Sequence, residues 1–315
     1  MTATLFNAGK NRVEFLSVGT RIVGNLYCPD NFDSGKTYPA VVVGGPLATV
    51  KEQAAGVFAE KLSKQGFLVL AFDYRTFGES DGELRCYENP SDKTEDIQNA
   101  VSFLATLENV DSSKIAALGI CASASYVTGA LIGDKRIQAF ATVSGYFNLQ
   151  EFVTFNPMVT EETRAYLFKL SNDARQKYFE TGVSDRSDVL YAPFDGTAEV
   201  QFMKDVYDYY FTRVESCWPN FSRELTLFSI EQLAKSNALD YAKYITTPYL
   251  GIVGENAPTR TQTEQFLEVK SQGVAEFKEL KGACHIQAYD LDKYVDQAVG
   301  SIAEFFNNQL NVKTI

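Results

Sequence analysis

Short apolar runs rich in β-branched residues recur along the chain: Tyr38 to Gly44 (YPAVVVG), Phe67 to Phe72 (FLVLAF), Lys114 to Gly119 (KIAALG), Gln138 to Ser144 (QAFATVS) and Pro248 to Gly254 (PYLGIVG). Apolar side chains on successive positions suit strands covered on both faces, as in a parallel sheet. Amphipathic stretches separate them. In Lys93 to Leu107 the residues Ile97, Ala100, Val101, Leu104 and Leu107 fall on one helical stripe, with acidic residues early, where the helix dipole favours them. The alternation predicts an α/β fold with a mostly parallel, doubly wound sheet. Ahead of it, Val13 to Val18 and Ile22 to Tyr27 read as a hairpin added as an antiparallel edge. From about Gln150 to Tyr244 the rhythm stops and the chain turns helical and aromatic, with FMKDVYDYYFTRVESCW at its centre. The reading is a core of residues 1–149 and 245–315 interrupted by a helical lid at 150–244. The core ends on a helix, Tyr294 to Asn308, with Val295, Val299, Ile302 and Phe305 on one face.

Composition narrows the class. With 315 residues, 45% hydrophobic and 22% charged, the chain is folded rather than disordered or fibrous. Asp and Glu number 40 against 29 Lys and Arg, a formal net charge of -11, which argues against phosphate backbones and anionic membranes as partners. No basic, apolar leader opens the sequence and no run approaches a membrane span, so a cytoplasmic location is the expectation. The five cysteines (Cys28, Cys86, Cys121, Cys217, Cys284) form no CxxC pair and there is one histidine, so reduced thiols are expected, with no metal or organic cofactor.

The strand KIAALG runs into Gly119-Ile120-Cys121-Ala122-Ser123 and then a helical stretch. A reactive side chain at the tip of such a strand-turn-helix junction sits in strained backbone and needs small residues two positions to either side. Gly119 and Ser123 satisfy this for Cys121, whose thiolate can attack a carbonyl carbon if an imidazole and a helix N-terminus lower its pKa. The Ala122 N–H would then face the developing oxyanion. Two alternatives stand beside this: Ser123 as nucleophile, flanked by the small Cys121 and Ser125, or Cys121 as buried filler.

The only histidine, His285, follows the apolar run Ala275 to Leu280, the place where a hydrolase of this topology keeps its base. The third member should be an acid after Pro248 to Gly254. That loop reads Gly254-Glu255-Asn256-Ala257-Pro258-Thr259, making Glu255 the nearest candidate, with Glu264 and Asp290 behind it. Gly44-Gly45-Pro46-Leu47 follows another strand, and Leu47 N–H is the candidate second oxyanion donor. No GxGxxG or Gly-Lys-Ser/Thr points to a nucleotide. Asp73 and Arg75 in LAFDYRTFGES read as scaffold, the carboxylate tying up loop N–H groups. Tyr207, Tyr209, Tyr210 and Trp218 are placed in an acyl pocket or between lid helices.

The segments GGPLATVKEQ, LAFDYRTFGESDGE, NPSDKTEDIQNAVSFL, GICASAS, VYDYYFTR, IVGENA and GACHIQAYD, collinear from about Tyr38 to Asp290, resemble the α/β-hydrolase superfamily. The branch is the dienelactone-hydrolase-like one, with its uncharacterised bacterial hydrolases and fungal polyketide transferases. The resemblance implies a Cys or Ser nucleophile at Cys121, a base at His285 and oxyanion amides at Leu47 and Ala122. Two positions depart from it: Ala124 and Ser125 stand where relatives often carry glycine, and Pro258 where some place the triad Asp. The expected partner is a small acyl substrate, an ester, lactone or thioester. Hydrolysis through an acyl-enzyme leads, with acyl transfer by the same residues second and a silent binding module on the same fold third; homodimer formation is left open.

Overall fold

The computed structural model describes residues 6–153, 160–190, 200–213 and 218–312. Its sheet has eight strands: β1 (Gly9–Ser17), β2 (Thr20–Cys28), β3 (Tyr38–Gly44), β4 (Leu68–Phe72), β5 (Val110–Ile120), β6 (Ile137–Val143), β9 (Tyr249–Gly254) and β10 (Ala275–Leu280). Two short strands, β7 (Arg186–Ser187) and β8 (Leu225–Thr226), pair with each other outside it. The order in the main sheet is β1-β2-β4-β3-β5-β6-β9-β10. The hairpin β1–β2 is antiparallel and β2 joins β4 antiparallel; from β4 onward every pair is parallel. Every residue of β4 and of β9 is buried, the expected state of strands covered on both faces.

Helices α1 (Ala54–Ser63), α8 (Gln287–Asp290) and α9 (Asp292–Gln309) pack together on one face of the sheet. On the other lie α2 (Pro90–Ala105), α3 (Ser123–Gly133) and α7 (Arg260–Val269). The amphipathic stripe places α9 correctly: Val295, Val299, Ile302 and Phe305 are all buried. Helix α2 begins three residues earlier than the apolar stripe predicts. Asn89 caps it by accepting a hydrogen bond from the Ser91 N–H, and Pro90 supplies the φ of a first helical residue without needing a donor.

Between β6 and β9 the chain forms a helical insertion holding α4 (Glu161–Thr181), α5 (Gln201–Tyr207) and α6 (Ser229–Leu233), with the small β7–β8 ribbon. Helix α4 starts on a Thr160 cap and ends at Gly182, whose left-handed backbone terminates it. The polar character of α4 fits its shallow burial, with Leu167, Ser171 and Ala174 facing inward. Among the described residues no helix is long and apolar enough to cross a membrane. Cys28, Cys86, Cys121 and Cys284 are free and buried; Cys217 lies outside the described residues.

Candidate active site

Three loops at the carboxyl ends of β3, β5 and β10 meet at one place. Cys121 follows β5 with φ of 53°, in the left-handed region that a side chain disfavours by roughly 1–2 kcal/mol. The turn is held from both sides: the Cys121 N–H donates to the Val143 carbonyl at 3.0 Å, and the Cys121 carbonyl accepts from Tyr146 N at 2.9 Å and Ala124 N at 3.0 Å. Gly119 makes the turn sterically possible, since a Cβ there would lie 2.6 Å from the Ser123 carbonyl oxygen. Ser123, the alternative nucleophile, is fully buried, its hydroxyl donating to the Gly45 carbonyl and sharing a hydrogen bond with Tyr74.

The Cys121 sulfur lies within electrostatic reach of the Ala122 N–H, the Leu47 N–H and the Tyr289 hydroxyl. Each favours a thiolate, but burial outweighs them and pushes the thiol up to about 11. The loop carrying Leu47 is fixed by two buried carboxylates. Asp73 accepts from the Lys51 N–H at 2.7 Å and its ammonium at 2.8 Å, and also from the Glu79 N–H. Asp73 therefore acts as the scaffold that its sequence context suggests. Glu88, unnoticed in the sequence, accepts from the Ala48 N–H at 3.1 Å, next to Leu47, where Ala48 itself has φ of 57°. Glu88 also binds the Tyr126 hydroxyl and the buried Lys93 ammonium at 2.6 Å. Burial lowers the Lys93 pKa while Glu88 opposes the shift, and the ammonium lies over the Tyr74 and Phe77 rings. Arg75 binds Asp96, Glu95 and Ser17 away from this loop.

His285 is buried, and both ring nitrogens are engaged. Nδ1 shares a hydrogen bond with Thr259 Oγ1 at 2.8 Å, and Nε2 shares one with the Tyr289 hydroxyl at 2.8 Å. Desolvation without a carboxylate partner pushes the imidazole down to about 3, so it is neutral. The His285 carbonyl accepts from Ser144 Oγ at 3.0 Å. The loop before it is stapled to the β9 loop by Asn256 N to the Ala283 carbonyl at 2.9 Å, and Gly254 permits that approach: a Cβ there would lie 2.6 Å from the Ala283 oxygen.

Glu255 is not the group facing His285. Its carboxylate accepts from the Gly282 N–H at 2.8 Å and points toward Lys281, with the side chain 41% exposed, so it braces the foot of the loop. The turn that begins at Gly254 directs Glu255 outward, and Thr259, five residues past the glycine, is the first polar side chain turned back to the ring. Its hydroxyl sits at the cap position of α7 but makes no capping bond there and bonds His285. The other acids are also committed elsewhere: Glu264 pairs with Arg260, and Asp290 with Arg213 at 2.7 Å.

The insertion closes over these groups with aromatic rings. Phe202 stands edge-on to His285 with ring centroids 5.7 Å apart, and Tyr209 edge-on to Tyr289 at 5.4 Å. Tyr210 packs against Tyr209 and close enough to Tyr289 to influence its ionisation. Tyr207 stacks instead on Phe211, and Trp218 is 40% exposed. Nothing in the sequence singles out Tyr289 or Thr259. The first stands four positions after His285 and was findable only once a helical turn is known to lie there; the second is a common residue in a loop scanned for acids. Among the described residues no group of three or more His, Cys, Asp or Glu side chains is placed to hold a metal ion.

The sequence and the fold have relatives. Residues 19–178, about half of the chain, match the model of the X-Pro dipeptidyl-peptidase (S15) family. The chain is 32% identical over 297 residues to the uncharacterized protein YcjY of Escherichia coli strain K12, covering 90% of this chain and 93% of that one. It is 27% identical over 243 residues to the polyketide transferase claH of Penicillium crustosum, covering 74% and 76%. The crystal structure of the hypothetical protein PA2218 from Pseudomonas aeruginosa superposes with a TM-score of 0.83 at 28% identity, covering 97% of this chain and 99% of that one.

Proposed function

The chain belongs to the X-Pro dipeptidyl-peptidase (S15) family of α/β hydrolases, an enzyme fold of hydrolase and acyltransferase type, and from that premise we propose that it cleaves an ester, lactone or thioester through Cys121. The observation that carries the reading is the pair of backbone N–H groups, Leu47 and Ala122, beside the buried thiol of a residue held in left-handed backbone. Two such donors beside a nucleophile stabilise the oxyanion of a tetrahedral intermediate. His285 takes the thiol proton, and water releases the acyl group as a carboxylic acid. With the thiol raised and the imidazole lowered, the resting pair is neutral, so the proton leaves as the C–S bond forms.

The same electrostatics favours particular substrates. An amine leaving group must be protonated by an imidazolium, which nothing anionic stabilises at Nδ1 here. A thiolate leaves without a proton, and an activated alkoxide with little help. Thioesters and esters therefore suit this site better than peptides. In this reading residues 150–244 select the acyl group over a core of 1–149 and 245–315, and the free buried thiols suit a reducing, cytoplasmic setting.

Acyl transfer to an acceptor other than water is the second reading. The burial of Cys121, His285 and Tyr289 beneath aromatic rings favours it, because a site that excludes water protects an acyl-enzyme from hydrolysis, and the relative from Penicillium crustosum carries the name polyketide transferase. Short acyl esters and thioesters assayed with wild type, Cys121→Ala and His285→Ala test the proposal. The expectation is a loss of at least about 1,000-fold in both variants; undiminished turnover in both would overturn the Cys121 reading, and no turnover in wild type would leave a binding module on an enzyme fold. Adding candidate alcohols or amines and weighing the products separates hydrolysis from transfer.

A further inference from the structure

We infer that Tyr289 is a catalytic residue whose hydroxyl conducts the proton between the Cys121 sulfur and Nε2 of His285, an inference that rests on the nucleophile reading above. The hydroxyl shares a hydrogen bond with Nε2 at 2.8 Å and lies within electrostatic reach of the buried Cys121 thiol. The described contacts of His285 leave no nitrogen for a direct bond to the thiol, because Thr259 occupies Nδ1 and Tyr289 occupies Nε2. A proton leaving the sulfur thus passes through this oxygen or waits for the ring to swing away. The ring is poorly placed to swing. Tyr289 is buried, its N–H donates to the Ile286 carbonyl at 2.9 Å, and Tyr209 from the insertion packs on its edge. The next residue, Asp290, is tied to Arg213 of the insertion.

A phenol hydroxyl donates and accepts together, which a bridging role requires. The step balances as follows. The Cys121 S–H bond breaks and its proton goes to the Tyr289 oxygen, while the proton already on that oxygen goes to Nε2. The sulfur lone pair forms the C–S bond, and the carbonyl π pair moves onto the oxygen facing Leu47 and Ala122 N–H. When the intermediate collapses, the leaving alkoxide takes a proton back along the same path, restoring neutral tyrosine and imidazole. A bridging phenol lets a base act on a nucleophile it does not touch.

Pre-steady-state acylation, followed by mass spectrometry that locates the acyl group, tests this with a p-nitrophenyl ester. Tyr289→Phe keeps the ring and removes the bridge; the acylation rate is expected to fall about 100- to 10,000-fold, the range of general acid-base contributions, with half-saturation little changed. In mixtures of H2O and D2O the wild-type rate should bow with deuterium content, as two moving protons require. Acylation of Cys121 in Tyr289→Phe within threefold of wild type, or a linear dependence in wild type, overturns the relay and leaves the nucleophile standing. If the acyl group is found elsewhere than on Cys121, the nucleophile reading itself falls. A gate would show the opposite sign, with Tyr289→Phe faster than wild type. Should Tyr289→Phe not fold, a fluorinated tyrosine at 289 keeps shape and hydroxyl; an unaltered rate and isotope response there counts against the relay.

Discussion

Thr259 presents its hydroxyl to Nδ1 of His285 at 2.8 Å, a neutral partner where a hydrolase triad keeps a carboxylate. The hydroxyl orients the ring but supplies no negative charge to stabilise it when protonated. A thiol tolerates this better than a serine hydroxyl, because it gives up its proton far more readily to a weak base. The identity of the third residue and of the nucleophile are thus linked, and several outcomes can be stated.

His285 is the only histidine in the chain, so its ring is a clean reporter. With its pKa lowered by burial to about 3, its NMR signals should not titrate between pH 8 and pH 5 in the folded protein. The unfolded chain binds a proton near pH 6.5 that the folded one refuses, so stability rises with pH between about 3 and 6.5 and is lost as pH falls. Through this residue the protein should be about 2 kcal/mol less stable at pH 5 than at pH 7. Urea titrations of wild type against His285→Asn isolate the term; equal pH slopes would refute it.

Substitution at Thr259 separates orientation from charge. Thr259→Val leaves Nδ1 without a partner and should cost about 1–3 kcal/mol of stability, with kcat/KM falling roughly tenfold. Thr259→Asp should instead raise the imidazole pKa, so that the histidine signal titrates in the accessible range and activity gains an acidic limb. A histidine signal that still fails to move in Thr259→Asp would show that burial overrides a contacting carboxylate.

The Cys121 thiol, raised to about 11 by burial, should react slowly with iodoacetamide at pH 7. The rate is expected to lie at least tenfold below that of an exposed thiol and to climb steadily with pH. Peptide mapping after timed alkylation measures it. Rapid, pH-independent labelling at Cys121 would point to a thiolate already present in the resting enzyme.

Lys93 and Glu88 form a buried ion pair behind the loop that carries Leu47, with N to O distance of 2.6 Å. Lys93→Met strands the carboxylate and should destabilise by about 3–5 kcal/mol, much of which returns in Lys93→Met/Glu88→Gln. Because Glu88 also holds the Ala48 N–H, the double variant should still lose kcat where stability has recovered. Denaturation curves and turnover measured on the same preparations check both halves.

What could be read beforehand follows physical lines. The strand runs are visible because strands buried on both faces allow only apolar residues, and β4 and β9 contain nothing else of consequence. The elbow is visible because its sterics restrict Gly119, and the lone imidazole because there is no competitor. Proximity in sequence favours Glu255 as the acid, whereas the path of the loop decides which side chain turns inward, and that is Thr259. Tyr289 leaves no mark in the sequence, since an aromatic residue four places along a helix looks the same whether it fills a core or bonds an imidazole. The start of α2 was displaced because a cap is polar and lies ahead of the stripe that reveals the helix.

The insertion leaves the sheet after β6 and returns at β9, yet these two strands lie side by side with Phe140 opposite Tyr249 and Val143 opposite Ile252. Everything between them is therefore one very long crossover whose length the sheet does not sense. Such wiring uncouples the insertion from the sheet. Residues of the insertion can be lengthened or exchanged while the strands beneath keep their alignment and need no compensating change.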